Sequence, residues 1–207
     1  LAILAAPATQ ADTGEFVPAK VTDISDRAYE KAVSHLIDNA KSSIVISMYT
    51  VTLGTSGRNP MSLLIGDVLE ARERGVAVTL YLNTCFKDQE SPASRLAADA
   101  ELKRLKDAGC TVVLFPSNRR LHDKLIIVDG RWVVEGSTNW SISALRQNYE
   151  SATLIDSPGL ADVKLKRLAI RLDSLDAAKP SARKPFYADE LSGGADIPEA
   201  LLTDKRY

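Results

Sequence analysis

The apolar residues of this chain recur at helical spacing in some segments and form short strand-like runs in others. Between residues 25 and 41, Tyr29, Val33, Leu36 and Ile37 recur every three or four positions. This spacing places them on one side of a helix, so the segment is predicted to be a helix with one buried face.

The rest of the chain continues this alternation. Runs without helical spacing predict strands, and longer segments that end at a glycine predict helices, because glycine commonly follows the last helical turn. Strands are predicted at 44–49, 76–82, 111–115 and 151–155, and helices at about 61–74, 93–108 and 158–175. Together with a hairpin near residue 129, this order predicts an α/β fold in which a mixed β-sheet is flanked by helices on both faces.

The two ends of the chain differ from its middle. Residues 1–20 begin with small and apolar residues and are interpreted as an N-terminal arm or the remnant of a secretory signal, which favours a periplasmic or secreted location. Residues 21–176 are predicted to form the folded domain. Residues 177–207 carry several prolines and a Gly-Gly pair, and are predicted to be a linker, a C-terminal extension or the start of a second repeat.

Asp129 and Gly130 separate two apolar runs and predict a tight β-hairpin, because both central positions of a type I′ turn need positive φ. If the loop holds only these two residues, Lys124 lies opposite Glu135. Alternation along the strands then gives one face an imidazole, a cation, a hydroxyl and an amide, from His122, Lys124, Ser137 and Asn139. Such a set of groups is suited to binding a phosphate.

The order of these residues resembles the signature of the phospholipase D superfamily. The matching pattern is His122-x-Lys124, then four residues, Asp129, six residues, and Gly136-Ser137-x-Asn139. Residues 42–49 are similar to the first strand of that family, and Glu150 stands where the family often carries a glutamate that orients the catalytic histidine. The resemblance covers roughly residues 20–175 and implies a phospholipase D-like domain.

The resemblance implies a metal-independent mechanism with no cofactor. His122 is expected to attack phosphorus and form a phosphohistidine, while Lys124 and Asn139 bind the non-bridging oxygens. Ser137 adds a further hydrogen bond, and Glu150 is expected to hold the second ring nitrogen of His122. Asp129 belongs to the signature and is grouped with the catalytic residues, but as a turn residue it is expected to make no direct contact with substrate.

A second histidine is needed to protonate the leaving group, and the chain supplies only one motif histidine. His35 lies in the first predicted helix, away from the motif, and is not expected to take this part. Family members bring two motifs together, so we expect this chain to act as a homodimer or as half of a longer protein.

Charge gives limited information about the substrate. The chain has 26 basic and 27 acidic residues, so any site for a polyanion must be local. Arg119 and Arg120 precede His122 and are candidates for nucleic-acid binding. The spacing of Cys and His residues matches no metal-binding motif, so no metal site is predicted.

The favoured function is a phosphodiesterase that cleaves nucleic acid, since small family members with one motif per chain resemble homodimeric endonucleases. Cleavage of phospholipids or phosphatidyl transfer is the main alternative, although it would require an apolar entrance for acyl chains. A phosphate-binding module without activity is the second alternative. The motif recognises only the phosphate and leaves the rest of the substrate open.

Overall fold

A computed structural model describes residues 16–52, 59–83, 92–115 and 120–176 of the chain. Most of the predicted N-terminal arm and all of the predicted C-terminal linker lie outside these residues. The elements in chain order are β1 (Lys20–Asp23), α1 (Ala28–Asn39), β2 (Ser43–Met48), α2 (Pro60–Glu73), β3 (Ala77–Asn83), α3 (Pro92–Asp107), β4 (Thr111–Phe115), β5 (Lys124–Val128), β6 (Trp132–Gly136), α4 (Ile142–Arg146), β7 (Ala152–Asp156) and α5 (Pro158–Asp176).

The chain divides into two compact units. One spans Val17–Asp162 and contains all seven described strands. The other comprises Leu1–Phe16 and Val163–Tyr207, and most of its described part is the C-terminal portion of α5.

The strands form one mixed sheet in the order β1-β7-β6-β5-β2-β3-β4. β2, β3 and β4 are parallel, as expected of strands joined by crossover helices, and the remaining neighbours are antiparallel. The predicted α/β class and mixed sheet are therefore confirmed.

Both faces of the central strands are buried. Ile44, Ile46 and Met48 of β2 are fully buried and share one apolar cluster with Val33 of α1 and Val68 of α2. On the opposite face Leu125, Ile127 and Val133 are also almost inaccessible to solvent. Because each such side chain contributes about 1.5–3 kcal/mol when buried, the two layers hold the central strands firmly in place.

The element boundaries follow the sequence signals closely. Gly75 and Gly109 follow α2 and α3 with φ of +90° and +88°, as a helix C-cap requires. Asn59 caps α2 through a capping box with Ser62. β1 was not predicted: it is a four-residue edge strand with all side chains exposed, so its hydropathy resembles that of a loop.

The predicted hairpin register is wrong by one residue, since Leu125 lies opposite Glu135 in place of Lys124. Asp129 and Gly130 do have positive φ, and the N–H of Arg131 donates to the carbonyl of Val128 as a two-residue turn requires. Arg131 is nevertheless left out of the ladder, where Val128 pairs with Trp132.

The extra residue is held by β7 and the residue after it. The Arg131 guanidinium forms a bidentate ion pair with Asp156, at 2.6 and 2.9 Å, and its carbonyl accepts the N–H of Ser157 at 3.1 Å. These contacts stabilise Arg131 as a bulge. A one-residue shift exchanges the faces of a strand, so strand pairing alone does not bring Ser137 to the side of His122.

Candidate active site

His122 and Lys124 lie side by side where the chain enters β5. The His122 side chain is exposed and Lys124 is half-buried. The Lys124 ammonium is 3.4 Å from His122 Nδ1 and donates to the His122 carbonyl at 3.2 Å. Among the described residues nothing bonds His122 Nε2, so this nitrogen is available to an incoming phosphorus.

Burial lowers the pKa of Lys124 from its usual range, and the neighbouring charges of Asp123 and Glu150 oppose that change in pKa. The ammonium is therefore partly desolvated and near two carboxylates. Such a cation interacts more strongly with a bound phosphate than one in open solvent.

Glu150 lies beside the end of β6 and organises Ser137. Its carboxylate accepts hydrogen bonds from the Ser137 hydroxyl and, at 2.9 Å, from the Asn148 amide. The predicted hydrogen bond between Glu150 and His122 is absent among the described contacts of both residues. Ser137 directly follows β6: its N–H donates to the Ser151 carbonyl at 2.8 Å, and its hydroxyl oxygen accepts the N–H of Ser151 at 3.0 Å.

The loop that carries Glu150 is held by residues just before α1, which sequence reasoning did not assign to the site. The Asp26 carboxylate accepts the Glu150 N–H at 2.7 Å, and the Asp26 N–H donates to the Glu150 carbonyl at 3.0 Å. Arg27 donates to the carbonyls of Leu145 and Asn148. The predicted helix of residues 25–41 begins at Ala28, and the positive φ of Asp26 turns its backbone towards the loop.

Gly136 allows β7 to approach this corner of the site. A Cβ atom at this position would lie 2.1 Å from the Ser151 carbonyl oxygen, so any larger residue would push the strands apart. Three residues later Asn139 is half-buried, and its Oδ1 has no hydrogen-bond partner within the described part of the chain. Trp140 is fully buried and donates to the Tyr29 hydroxyl at 3.2 Å, which anchors the segment.

Tyr49, at the end of β2, also belongs to the site and was missed as a functional residue. Its ring centroid is 4.3 Å from that of His122, and the Lys124 ammonium lies 4.8 Å from it. The sequence predicts Tyr49 only as the last residue of a strand. Its contact with His122 has no sequence signal, because it depends on the pairing of β2 with β5.

Asp129 lies at the opposite end of the five-residue β5 from Lys124, a distance of roughly 15 Å at strand spacing. Its carboxylate accepts the N–H groups of Lys41, Ser42 and Ser43 and the Ser42 hydroxyl. Desolvation raises its pKa, but the backbone hydrogen bonds outweigh it and the net pKa is lowered. These contacts tie the hairpin turn to the start of β2.

Two further residues considered from the sequence, Arg120 and His35, lie on the surface. Arg120 is exposed, whereas Arg119 lies outside the described residues. His35 is exposed on α1, where Asn39 is its hydrogen-bond partner.

The described ranges contain no group of three His, Cys, Asp or Glu side chains arranged to hold a metal ion. In the same ranges no helix has the length and apolar content needed to span a bilayer.

The family model described as the phospholipase D-like domain of cardiolipin synthase matches residues 33–169, which include His122, Lys124 and Glu150. The chain belongs to the phospholipase D superfamily. The chain is similar to a phospholipase D of Rickettsia bellii, with 31% identity over 137 residues. It is also similar to a mitochondrial cardiolipin hydrolase of Chlamydomonas reinhardtii, with 28% identity over 93 residues. These alignments cover 66% and 45% of this chain, and 60% and 38% of the relatives, so the chain spans about 60% of the Rickettsia protein.

Among solved structures, this superfamily member is similar to Nuc, a phospholipase D family member from Salmonella typhimurium. The TM-score is 0.60 at 25% identity, and the match covers 75% of this chain and 94% of Nuc. The phospholipase D-like fold expected from the motif is thus confirmed.

Proposed function

We propose that the chain cleaves phosphodiesters through a covalent intermediate on His122. The observation that supports this most directly is the pairing of an exposed imidazole with a partly desolvated ammonium, 3.4 Å apart, at the N-terminal end of the central strand β5. A nucleophile next to a fixed cation matches the two requirements of attack on a phosphate anion, since the cation offsets the charge that repels the nucleophile.

In the proposed reaction His122 Nε2 attacks phosphorus, and the bond from phosphorus to the leaving oxygen breaks as that oxygen takes a proton from a second imidazole. Water then attacks the phosphohistidine, gives its proton to the same second imidazole, and releases His122. Lys124 and Asn139 bind the non-bridging oxygens. The one hydroxyl proton of Ser137 is donated to Glu150 in this structure, so Ser137 becomes a further donor to the phosphate only when that hydroxyl turns away from Glu150. Glu150 serves as a positioning residue, through Ser137 in this structure.

Nucleic acid is the proposed substrate. His122 and Ser137 are both exposed, so a polymer can pass across the site without entering a channel within the described part of the chain. The exposed Arg120 lies two residues before the nucleophile and provides a phosphate contact next to the scissile bond. The resemblance to small, single-motif endonucleases supports the same choice.

Phospholipid is the second candidate. Similar proteins are named as a phospholipase D and a cardiolipin hydrolase, and Ile142 and Tyr149, in the segment between Asn139 and Glu150, expose 41% and 97% of their surface. An apolar side chain near the phosphate site is what an acyl chain or membrane surface would contact. Phosphatidyl transfer, with an alcohol in place of water, belongs to this candidate.

The test is to incubate the pure chain with single-stranded DNA, duplex DNA, RNA and phosphatidylcholine or cardiolipin vesicles, each with EDTA. We expect cleavage of nucleic acid to persist in EDTA, because the proposed steps use only side chains. His122→Ala should abolish it with unchanged thermal unfolding, while His35→Ala, the matched histidine control, should retain it. Turnover of vesicles alone would select the second candidate, and a fully active His122→Ala would contradict the mechanism.

Salt dependence of binding separates the two candidates further. If Arg120 contacts a nucleic-acid phosphate, the slope of log affinity against log salt should decrease by about 1 in Arg120→Ala, because one fewer counterion is released. Binding is measured with the inactive His122→Ala background. An unchanged slope would remove Arg120 from the nucleic-acid site.

A further inference from the structure

One aromatic ring contacts both side chains proposed to act on phosphorus. The Tyr49 and His122 rings have centroids 4.3 Å apart and planes tilted by 48°, and the Lys124 ammonium is 4.8 Å from the Tyr49 centroid. Tyr49 is half-buried and directly follows β2, whereas His122 and Lys124 lie at the start of β5. The ring therefore lies between the end of β2 and the start of β5, two neighbouring central strands.

The position of Tyr49 relative to the motif is fixed through the backbone. Its N–H donates to the Asp123 carbonyl at 2.7 Å, and the preceding residue, Met48, is the antiparallel partner of Lys124. On its other side the Thr50 carbonyl accepts the N–H of the fully buried Trp140 at 3.0 Å. The backbone that carries the ring is therefore fixed relative to both the β2–β5 ladder and the core.

The Tyr49 ring restrains the orientation of the His122 imidazole. Among described residues, Lys124 is the side chain within hydrogen-bond reach of His122, and no described carboxylate bonds the imidazole. An aromatic face attracts a cation within about 6 Å of its centroid, and a ring packed on the imidazole restricts rotation about its side-chain bonds. Tyr49 is thus placed to keep the Lys124 charge and the His122 ring at a constant separation.

We propose that Tyr49 is a positioning residue whose aromatic face sets the orientation of His122 and holds Lys124 beside it. The inference rests on the proposed role of His122 as nucleophile. It assigns the effect to the face of the ring, whose negative charge attracts the ammonium, and not to the phenol hydroxyl. Removing the ring should slow attack on phosphorus more than it weakens substrate binding.

The experiment compares Tyr49→Phe, Tyr49→Leu and pentafluorophenylalanine at position 49. The first keeps the ring, the second removes it, and the third keeps its size but reverses the charge of its face. Tyr81→Leu is the matched control, because Tyr81 is another half-buried strand tyrosine and its described ring contact is with Phe115. Thermal unfolding of each variant is recorded first.

Two readouts are measured on the full chain. The carbon-bound imidazole protons of His122, assigned by their loss in His122→Ala, report the ring current of Tyr49 in NMR spectra without any reaction. Rapid quenching with bis(p-nitrophenyl) phosphate reports the rate of the phosphohistidine burst, and steady-state assays give kcat and KM.

Tyr49→Phe should stay within about threefold of wild type, whereas Tyr49→Leu and the fluorinated ring should slow the burst and kcat by about 10- to 100-fold with KM changed less than threefold. The His122 proton shifts should move in Tyr49→Leu and not in Tyr81→Leu. If Tyr49→Leu does not fold, the fluorinated and Phe variants decide the question, and equal burst rates in these two would overturn the proposal. A loss in Tyr49→Phe as large as in Tyr49→Leu would also overturn it, by assigning the effect to the hydroxyl.

A failure of the Tyr49 proposal can be distinguished from a failure of the proposed function. If His122→Ala remained active, the nucleophile itself would be misassigned and the role of Tyr49 would fall with it. If His122→Ala were inactive while Tyr49→Leu kept the wild-type burst rate, the proposed function would stand and Tyr49 would be a packing residue only.

Discussion

At the scale of single residues, the proposed reaction depends on the charge of Lys124. Burial lowers the pKa of this ammonium, with Asp123 and Glu150 acting in the opposite direction. A lysine with a lowered pKa loses its proton at a lower pH than an exposed one. Activity should therefore fall with rising pH through that lowered pKa, before an ordinary lysine would titrate.

Lys124→Arg tests this expectation, since a guanidinium does not titrate in the accessible range. We expect Lys124→Arg to be slower at neutral pH, because its fork differs in shape, but to lack the alkaline decline of the wild type. Lys124→Ala should lose about 3–4 kcal/mol of transition-state stabilisation, several hundredfold in rate. An alkaline limb that is identical in wild type and Lys124→Arg would assign the decline to another group.

At the scale of elements, the turn of the hairpin can be predicted from the sequence, but its strand register cannot. The turn at Asp129 and Gly130 was predicted correctly, because positive φ is a local property of those two residue types. The register was not, because the bulge at Arg131 depends on Asp156 and Ser157, which are distant in sequence. Helices with an apolar period and a terminal glycine were found for the same local reason, whereas β1 has no apolar period to reveal it.

The candidate site divides in the same way. His122, Lys124, Ser137 and Asn139 were named because their spacing is fixed within one hairpin and the segment after it. Tyr49 and Asp26 reach the site through β2–β5 pairing and through the loop before α1, and neither contact leaves a pattern in the sequence. The hydrogen bond from Ser137 to Glu150 could not be predicted either, since it depends on where β6 ends.

Asp129 joins the hairpin to the start of β2, and its expected contribution is to stability. Asn tolerates positive φ, so Asp129→Asn removes the charge without backbone strain. Hydrogen bonds to a charged group are worth more than those to a neutral one, so the variant should lose about 1–3 kcal/mol of unfolding free energy at pH 7. Asp107→Asn, at an exposed ion pair in α3, is the control and should change it by less than about 1 kcal/mol.

The pH dependence of that loss has a definite sign. Because the folded pKa of Asp129 is lowered, its stabilisation is fully present above the ordinary aspartate pKa of about 3.9 and is lost as pH falls through the lower folded value. The difference between wild type and Asp129→Asn in urea unfolding should therefore shrink as the medium is acidified. A difference that stayed constant down to the acid transition would show that the carboxylate charge is not what stabilises the loop.

At the scale of the whole molecule, the number of imidazoles in the active unit decides whether one chain can complete the reaction. His122 cannot remain bonded to phosphorus and protonate the departing oxygen at the same time. The chain has two histidines, and His35 lies on α1 in contact with Asn39, not beside His122. We therefore propose that a second copy of the motif, from an identical chain or from further sequence, supplies the other imidazole.

Subunit mixing tests the homodimer. If two His122 side chains share one active centre, a dimer with one His122→Ala subunit lacks one required imidazole, so after exchange the activity should fall as the square of the wild-type fraction. His35→Ala subunits, mixed in the same way, should leave activity unchanged, and sedimentation at the assay concentration should show a dimer. Activity that falls in direct proportion to the wild-type fraction, or an active monomer, would mean that each chain works alone and that a group other than a second His122 protonates the leaving oxygen.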